Sequence, residues 1–251
     1  MKTIRTASAL LALLLALPAV YAQSGGYPDS DLKAKIAQRL SQDAALQDDR
    51  LEVSVSSGVV TVSGTVDTLY EAWKVRDDAA AIFGVVGYQP QVSLENAGVP
   101  DSALTTAIGD ALGRYLLDTP EVGSITATVQ AGVVTLTGSV RDSRKRFEAR
   151  DAVARVTGVQ QVVDQLLSPD SPDDEIQKAV AAILAGGTGT PVSGRVTTQV
   201  DGGVVTLTGT VPLLSTRYQA EEIAWGVNGV RGVEPQLTVV PPSRDVKVLR
   251  P

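Results

Sequence analysis

The sequence contains no cysteine and no histidine. The first absence excludes disulfides, thiolate nucleophiles, cysteine-ligated zinc and iron–sulfur clusters. The second leaves no imidazole to act as a general base or to complete a Ser-His-Asp triad. Only carboxylate, Lys or Tyr catalysis is left open. Aromatic residues make up just 4%, so a core has to be built from Val, Leu, Ile and Ala. Few rings are available to stack on sugars or single-stranded nucleic acid. Positive charge is also short: 22 Lys and Arg stand against 28 Asp and Glu, a formal net charge of −6 over 251 residues. That balance argues against a broad nucleic-acid footprint, which needs a basic surface. Beyond the N-terminus no run is long and apolar enough to span a bilayer.

The segment Met1 to Ala22 has the layout of a secretory signal peptide. Lys2 and Arg5 form a positive start, Ala7 to Val20 is a mostly apolar run, and small residues surround Ala22. The apolar run is too short for a usual membrane span. Without a cysteine, no lipid can be attached at the cleavage site. The sequence therefore predicts a chain secreted across the inner membrane, with a mature form running from Gln23 and carrying no transmembrane segment.

Internal repetition is the strongest signal. Gly58-Val-Val-Thr-Val-Ser-Gly64 recurs as Gly132-Val-Val-Thr-Leu-Thr-Gly138 and again as Gly203-Val-Val-Thr-Leu-Thr-Gly209. The step from Gly58 to Gly132 nearly equals the step from Gly132 to Gly203. A Gly-Val pair (Gly84-Val85, Gly158-Val159, Gly229-Val230) follows the first glycine of each motif at one fixed distance. Each copy opens with apolar residues four apart, the spacing of one helix face: Leu32, Ile36, Leu40; Leu104, Ile108, Leu112; Ile176, Val180, Leu184. Ser30, Asp101 or Ser102, and Asp173 are candidate caps of these helices. An alternating strand follows, then a two-residue turn ending in Gly, which suits a primed hairpin. The glycine closing the motif predicts a bulge or a close backbone approach. A second helix carries Trp73, Phe147 and Tyr218 at equivalent positions, which predicts core aromatics. A third strand ends the unit.

The expected fold class is therefore α+β: three tandem αββαβ domains, each a three-stranded mixed sheet covered on one face by two helices. Their predicted limits are 30–97, 98–168 and 169–240, followed by a basic, flexible tail over 241–251. The hairpin motif with its Gly-Val partner resembles the BON domain, the bacterial osmotically inducible and nodulation domain, in three copies. The resemblance implies an envelope or secreted protein that is non-catalytic and takes no cofactor. It also implies attachment to phospholipid membranes or to protein partners, with a link to osmotic or envelope stress. Some members of the family are chaperone-like, so a periplasmic stress chaperone or protein-interaction module binding partly unfolded or envelope proteins is the alternative.

Charge separates the copies. Units one and three each carry a formal −4 and unit two only −1, because Arg141, Arg144, Lys145, Arg146 and Arg150 cluster around the start of its second helix. Arginine's planar fork suits phosphate, and a helix start adds N–H donors and a positive dipole end. These five residues are the candidate site for anionic phospholipid head groups. The competing reading is a solvated helix face with intrahelical pairs such as Arg144–Glu148. Asp48-Asp49, Asp77-Asp78 and Asp173-Asp174-Glu175 lack the spaced oxygens of a calcium loop, so no metal site is expected.

Overall fold

The computed structural model describes residues 26–46, 50–95, 98–116, 125–140, 143–186 and 192–243. Residues 1–22, where a signal peptide is expected, Arg141, Asp48-Asp49 and most of the tail lie outside them. Unit one contains α1 (Asp29–Gln42), β1 (Arg50–Ser56), β2 (Val59–Val66), α2 (Leu69–Ala80) and β3 (Gly87–Leu94). Unit two contains α3 (Asp101–Leu116), β4 (Ile125–Gln130), β5 (Val133–Ser139), α4 (Ser143–Ala154) and β6 (Gln161–Leu167). Unit three contains α5 (Asp173–Leu184), β7 (Arg195–Asp201), β8 (Val204–Val211), α6 (Leu214–Trp225) and β9 (Gly232–Val239). Each unit is thus αββαβ. In each sheet the middle strand pairs antiparallel with the first and, after the helical crossover, parallel with the third.

The four-residue apolar spacing places Leu32, Ile36 and Leu40 in the core, and likewise Leu104, Ile108, Leu112 and Ile176, Val180, Leu184. Alternation does the same for the strands: Val60 and Val62, Val134 and Leu136, and Val205 and Leu207 are buried on the helix side. The opposite face is mostly polar, with Ser, Thr and Gln the commonest residues.

The repeated glycines have separate jobs. Both residues of every hairpin turn have positive φ, including Ser57 and Ala131 at 51°, so the turns are of type I′. The closing glycine permits a close backbone approach: a Cβ on Gly64 would collide with the Arg50 carbonyl oxygen, and one on Gly209 with that of Arg195. The strands run on past it to Val66, Ser139 and Val211.

The helix starts differ from expectation. Helices α1 and α5 are entered through Pro28 and Pro172, which give no side-chain cap. The aspartate that follows reaches across to the hairpin. Asp29 accepts the N–H groups of Ser57 and Gly58 at 2.8 and 3.0 Å. Asp101 does so for Ala131 and Gly132 at 2.8 and 3.0 Å, and Asp173 for Gly202 and Gly203 at 2.8 and 2.9 Å. The carboxylate ties the first helix to the turn, which is the better use of two acceptor oxygens where Pro already sets the entry angle. The Pro-Asp pair at Pro28, Pro100 and Pro172 is the sequence signal for it.

Candidate functional site

The three second helices α2, α4 and α6 meet at one junction. Successive units touch head to tail there. At the start of α2, Leu69 packs against the core of unit two, and the Tyr70 ring faces Arg155 just beyond α4. At the start of α4, the Ser143 N–H and hydroxyl both donate to Asn228 Oδ1 of unit three, at 3.1 and 2.9 Å. In α6, the Tyr218 ring lies under Arg76 of unit one at 4.9 Å. The sense of contact is one to two, two to three and three to one, so the units close into a ring. The cores of units one and three also join into one apolar cluster, whereas unit two keeps its own.

Trp73, Phe147 and Tyr218 do not sit in the cores of their units, as the repeat pattern suggests. They are half-buried and face the junction. Arg150 lies between two of them, 4.8 Å from the Trp73 ring centre and 4.9 Å from that of Phe147, with Glu222 at 3.7 Å. One guanidinium thus touches a residue from every unit. Burial pushes the Glu222 carboxyl up, and Arg150 opposes that shift.

The candidate phosphate-binding residues divide. Arg146 is buried at 7% exposure, pairs with Asp164 of β6 at 2.5 Å and lies 4.7 Å over the Trp225 ring. Arg150 is committed to the junction as described. Arg144, on the same turn, is exposed. Lys145 donates to Glu148 at 2.6 Å with 28% of its side chain exposed. The structure therefore brings Arg146 and Arg150 together inside the junction and leaves Arg144 and Lys145 towards solvent. The inward role of Arg146 has a sequence signal: Asp164 stands in β6 where β3 and β9 hold Pro90 and Pro235 in the same register.

Helix α4 also starts differently from α2. Thr68 and Glu71 close a capping box on α2, with an acid in the first turn. Helix α4 has no acid there and carries Arg144 and Lys145 instead. Cations at a helix start meet the positive end of the dipole. Among the described residues, no group of three acidic side chains is placed to hold a metal ion, and no helix is long and apolar enough to cross a membrane.

The family model described as BON domain matches residues 28–92, 100–167 and 172–241. No curated protein matches the sequence. Among solved structures, the chain is similar to the C-terminal domain of CdsD, the structural protein of the type III secretion system of Chlamydia trachomatis. The identity is 15% and the TM-score 0.22, covering 86% of this chain and 100% of that one. A second CdsD structure from that organism gives 15% identity and a TM-score of 0.25, covering 88% of this chain and 99% of that one. The PrgH periplasmic domain gives 13% and 0.21, covering 78% and 97%.

Proposed function

The chain belongs to the BON domain family, and from that premise we propose a non-catalytic binding protein of the cell envelope that docks on anionic phospholipid surfaces. BON domains are non-catalytic domains linked to envelope and periplasmic proteins. In this reading the chain is exported by its N-terminal segment and works in the periplasm, under osmotic or envelope stress. Arg144 and Lys145, with Arg141 just before the helix, meet the head groups. Arg146 and Arg150 hold the helix end in position from inside the junction.

The observation that carries the proposal is the basic start of α4. Positive side chains stand where the helix dipole is already positive, on the one unit whose net charge is near zero. A bound phosphate would relieve that electrostatic conflict. The chaperone reading needs a repeated apolar surface. The exposed large apolar side chains among the described residues are Phe83, Leu167 and Val240, at different positions in their units. They support it less well.

Vesicle flotation tests the proposal. The protein is expected to float with vesicles containing phosphatidylglycerol, not with phosphatidylcholine alone, and to be released as salt rises. Reversal of Arg141, Arg144 and Lys145 to Glu should abolish flotation without lowering the melting temperature. No flotation at low salt, or unchanged flotation of the reversed protein, overturns it.

A further inference from the structure

The junction holds a second feature, independent of the vesicle-docking reading. Unit one keeps an open crevice of about 620 Å³ beside α2 and β3, lined also by Tyr218 of unit three and Gln160 of unit two. That size falls within the roughly 300–1,000 Å³ of small-molecule sites. Its walls are mainly Leu69, Ala72, Trp73, Tyr88 and Val92. Three substitutions distinguish it from the same place in unit two. Ala72 stands where unit two has Arg146, Pro90 where it has Asp164, and Tyr88 where it has Val162. In unit two the Arg146–Asp164 pair crosses this place against Trp225, and the crevice there, of about 820 Å³, is lined by the charged Arg146, Asp164, Asp170 and Arg231. In unit one the same place carries no ion pair, and its crevice is mainly apolar.

The lining carries one charged group, Arg76, and no acid. Arg76 uses its Nε and Nη2 donors on Asp77, at 2.9 and 2.8 Å. That pair occupies one edge of the guanidinium and leaves the Nη1 edge for a ligand. Burial pushes the Tyr88 phenol up to about 12 and raises that of Tyr218, so both stay protonated and able to donate at any ordinary pH. An apolar slot lined by one cation and two protonated phenols, with the Asp77 carboxylate paired to that cation from outside the lining, favours an anion with an apolar body over a cation. We propose that the unit-one crevice binds a single acyl chain bearing an anionic head, with the chain along Leu69, Trp73 and Val92 and the head at Arg76. A free fatty acid and a single-chain phospholipid share that chemistry.

Isothermal titration of the purified protein, with Trp emission as a second readout, separates the possibilities. The probes are dodecanoate, dodecanoyl lysophosphatidylglycerol and neutral dodecyl maltoside, each below its micelle concentration. One equivalent of an acidic probe is expected to bind at least about tenfold more tightly than the neutral one. The tighter of the two acids identifies the source. Ala72→Met fills the slot and should weaken every probe by about tenfold or more. Arg76→Gln should bring the acidic probes down to the level of the neutral one. Absence of saturable binding, equal affinity for neutral and acidic probes, or unchanged affinity in a folded Ala72→Met protein overturns the proposal. Melting curves of both variants establish that they remain folded.

Discussion

Units one and two build the same backbone and use the same place in opposite ways. In unit two, Arg146 crosses from α4 to Asp164 of β6 and stacks on Trp225 of the next unit. In unit one, Ala72 and Pro90 stop short and leave a crevice walled by aromatic rings. Strand register is identical in both: Val62 pairs with Pro90 as Leu136 pairs with Asp164. A proline is tolerated there because the third strand lies at the sheet edge. The difference therefore lives in a few side chains, not in the fold. One copy lines the place with charge and grips its neighbour there, and the other lines it mainly with apolar side chains.

The largest expected effect comes from breaking the charged version. Arg146→Ala strands the Asp164 carboxylate and removes the stacking on Trp225, and should lower stability by about 3 kcal/mol in denaturant unfolding. Adding Asp164→Pro gives unit two the residues of unit one and should restore at least half of that loss. A double variant no more stable than the single one would refute the pairing argument.

Arg150→Lys comes next. Lysine keeps the charge but loses the planar face held between Trp73 and Phe147, and a loss of about 1–2 kcal/mol is expected. Asn228→Ala tests another contrast between the units. Helix α2 caps itself through Thr68, whereas α4 is capped by a residue of unit three. The substitution should cost about 1 kcal/mol. Faster amide exchange should appear in the first turn of α4, not around position 228.

The smallest effect concerns a pair in unit one. Lys74 Nζ lies 2.8 Å from Asp43 Oδ2, and that hydrogen bond holds the Asp43 carboxyl below its ordinary 3.8 and the Lys74 ammonium above its ordinary 10.5. Asp43 therefore contributes stability above 3.8, which is lost as pH falls through its lowered value. Lys74 contributes below 10.5, and its share is lost as pH rises through the raised value. Lys74→Met should lower stability by about 0.5 kcal/mol at neutral pH and have no effect near pH 2. A loss of equal size at both pH values would exclude this pair as its cause.

Much of the architecture could be read from the residues alone. Alternation over Leu51-Val53-Val55, four-residue spacing over Leu32-Ile36-Leu40 and the turn at Ser57-Gly58 are local properties. Each of them specifies an element through steric and burial rules that act over a few residues. Repetition at a nearly constant spacing then multiplies one αββαβ unit by three. The Gly-Val landmark is less local. Gly84, at φ +98°, has no room for a Cβ because Tyr27 lies 2.7 Å from where it would be, and Gly158 meets Val99 at 2.6 Å in the same way.

The candidate site was less legible. Arg144 and Arg146 share one turn of one helix and the same chemistry, and nothing in their spacing says that one faces solvent and the other a neighbouring unit. That division depends on Asp164 and Trp225, the first in the strand that follows the helix and the second in the next unit. Helix periodicity constrains which residues share a face, but not what that face meets. The αββαβ unit and its threefold repetition are therefore matters of pattern. The ring, its arginine contacts and the open crevice of unit one arise from the docking of finished units, where contacts between sequence-distant side chains decide which charges are buried and which space is left unfilled.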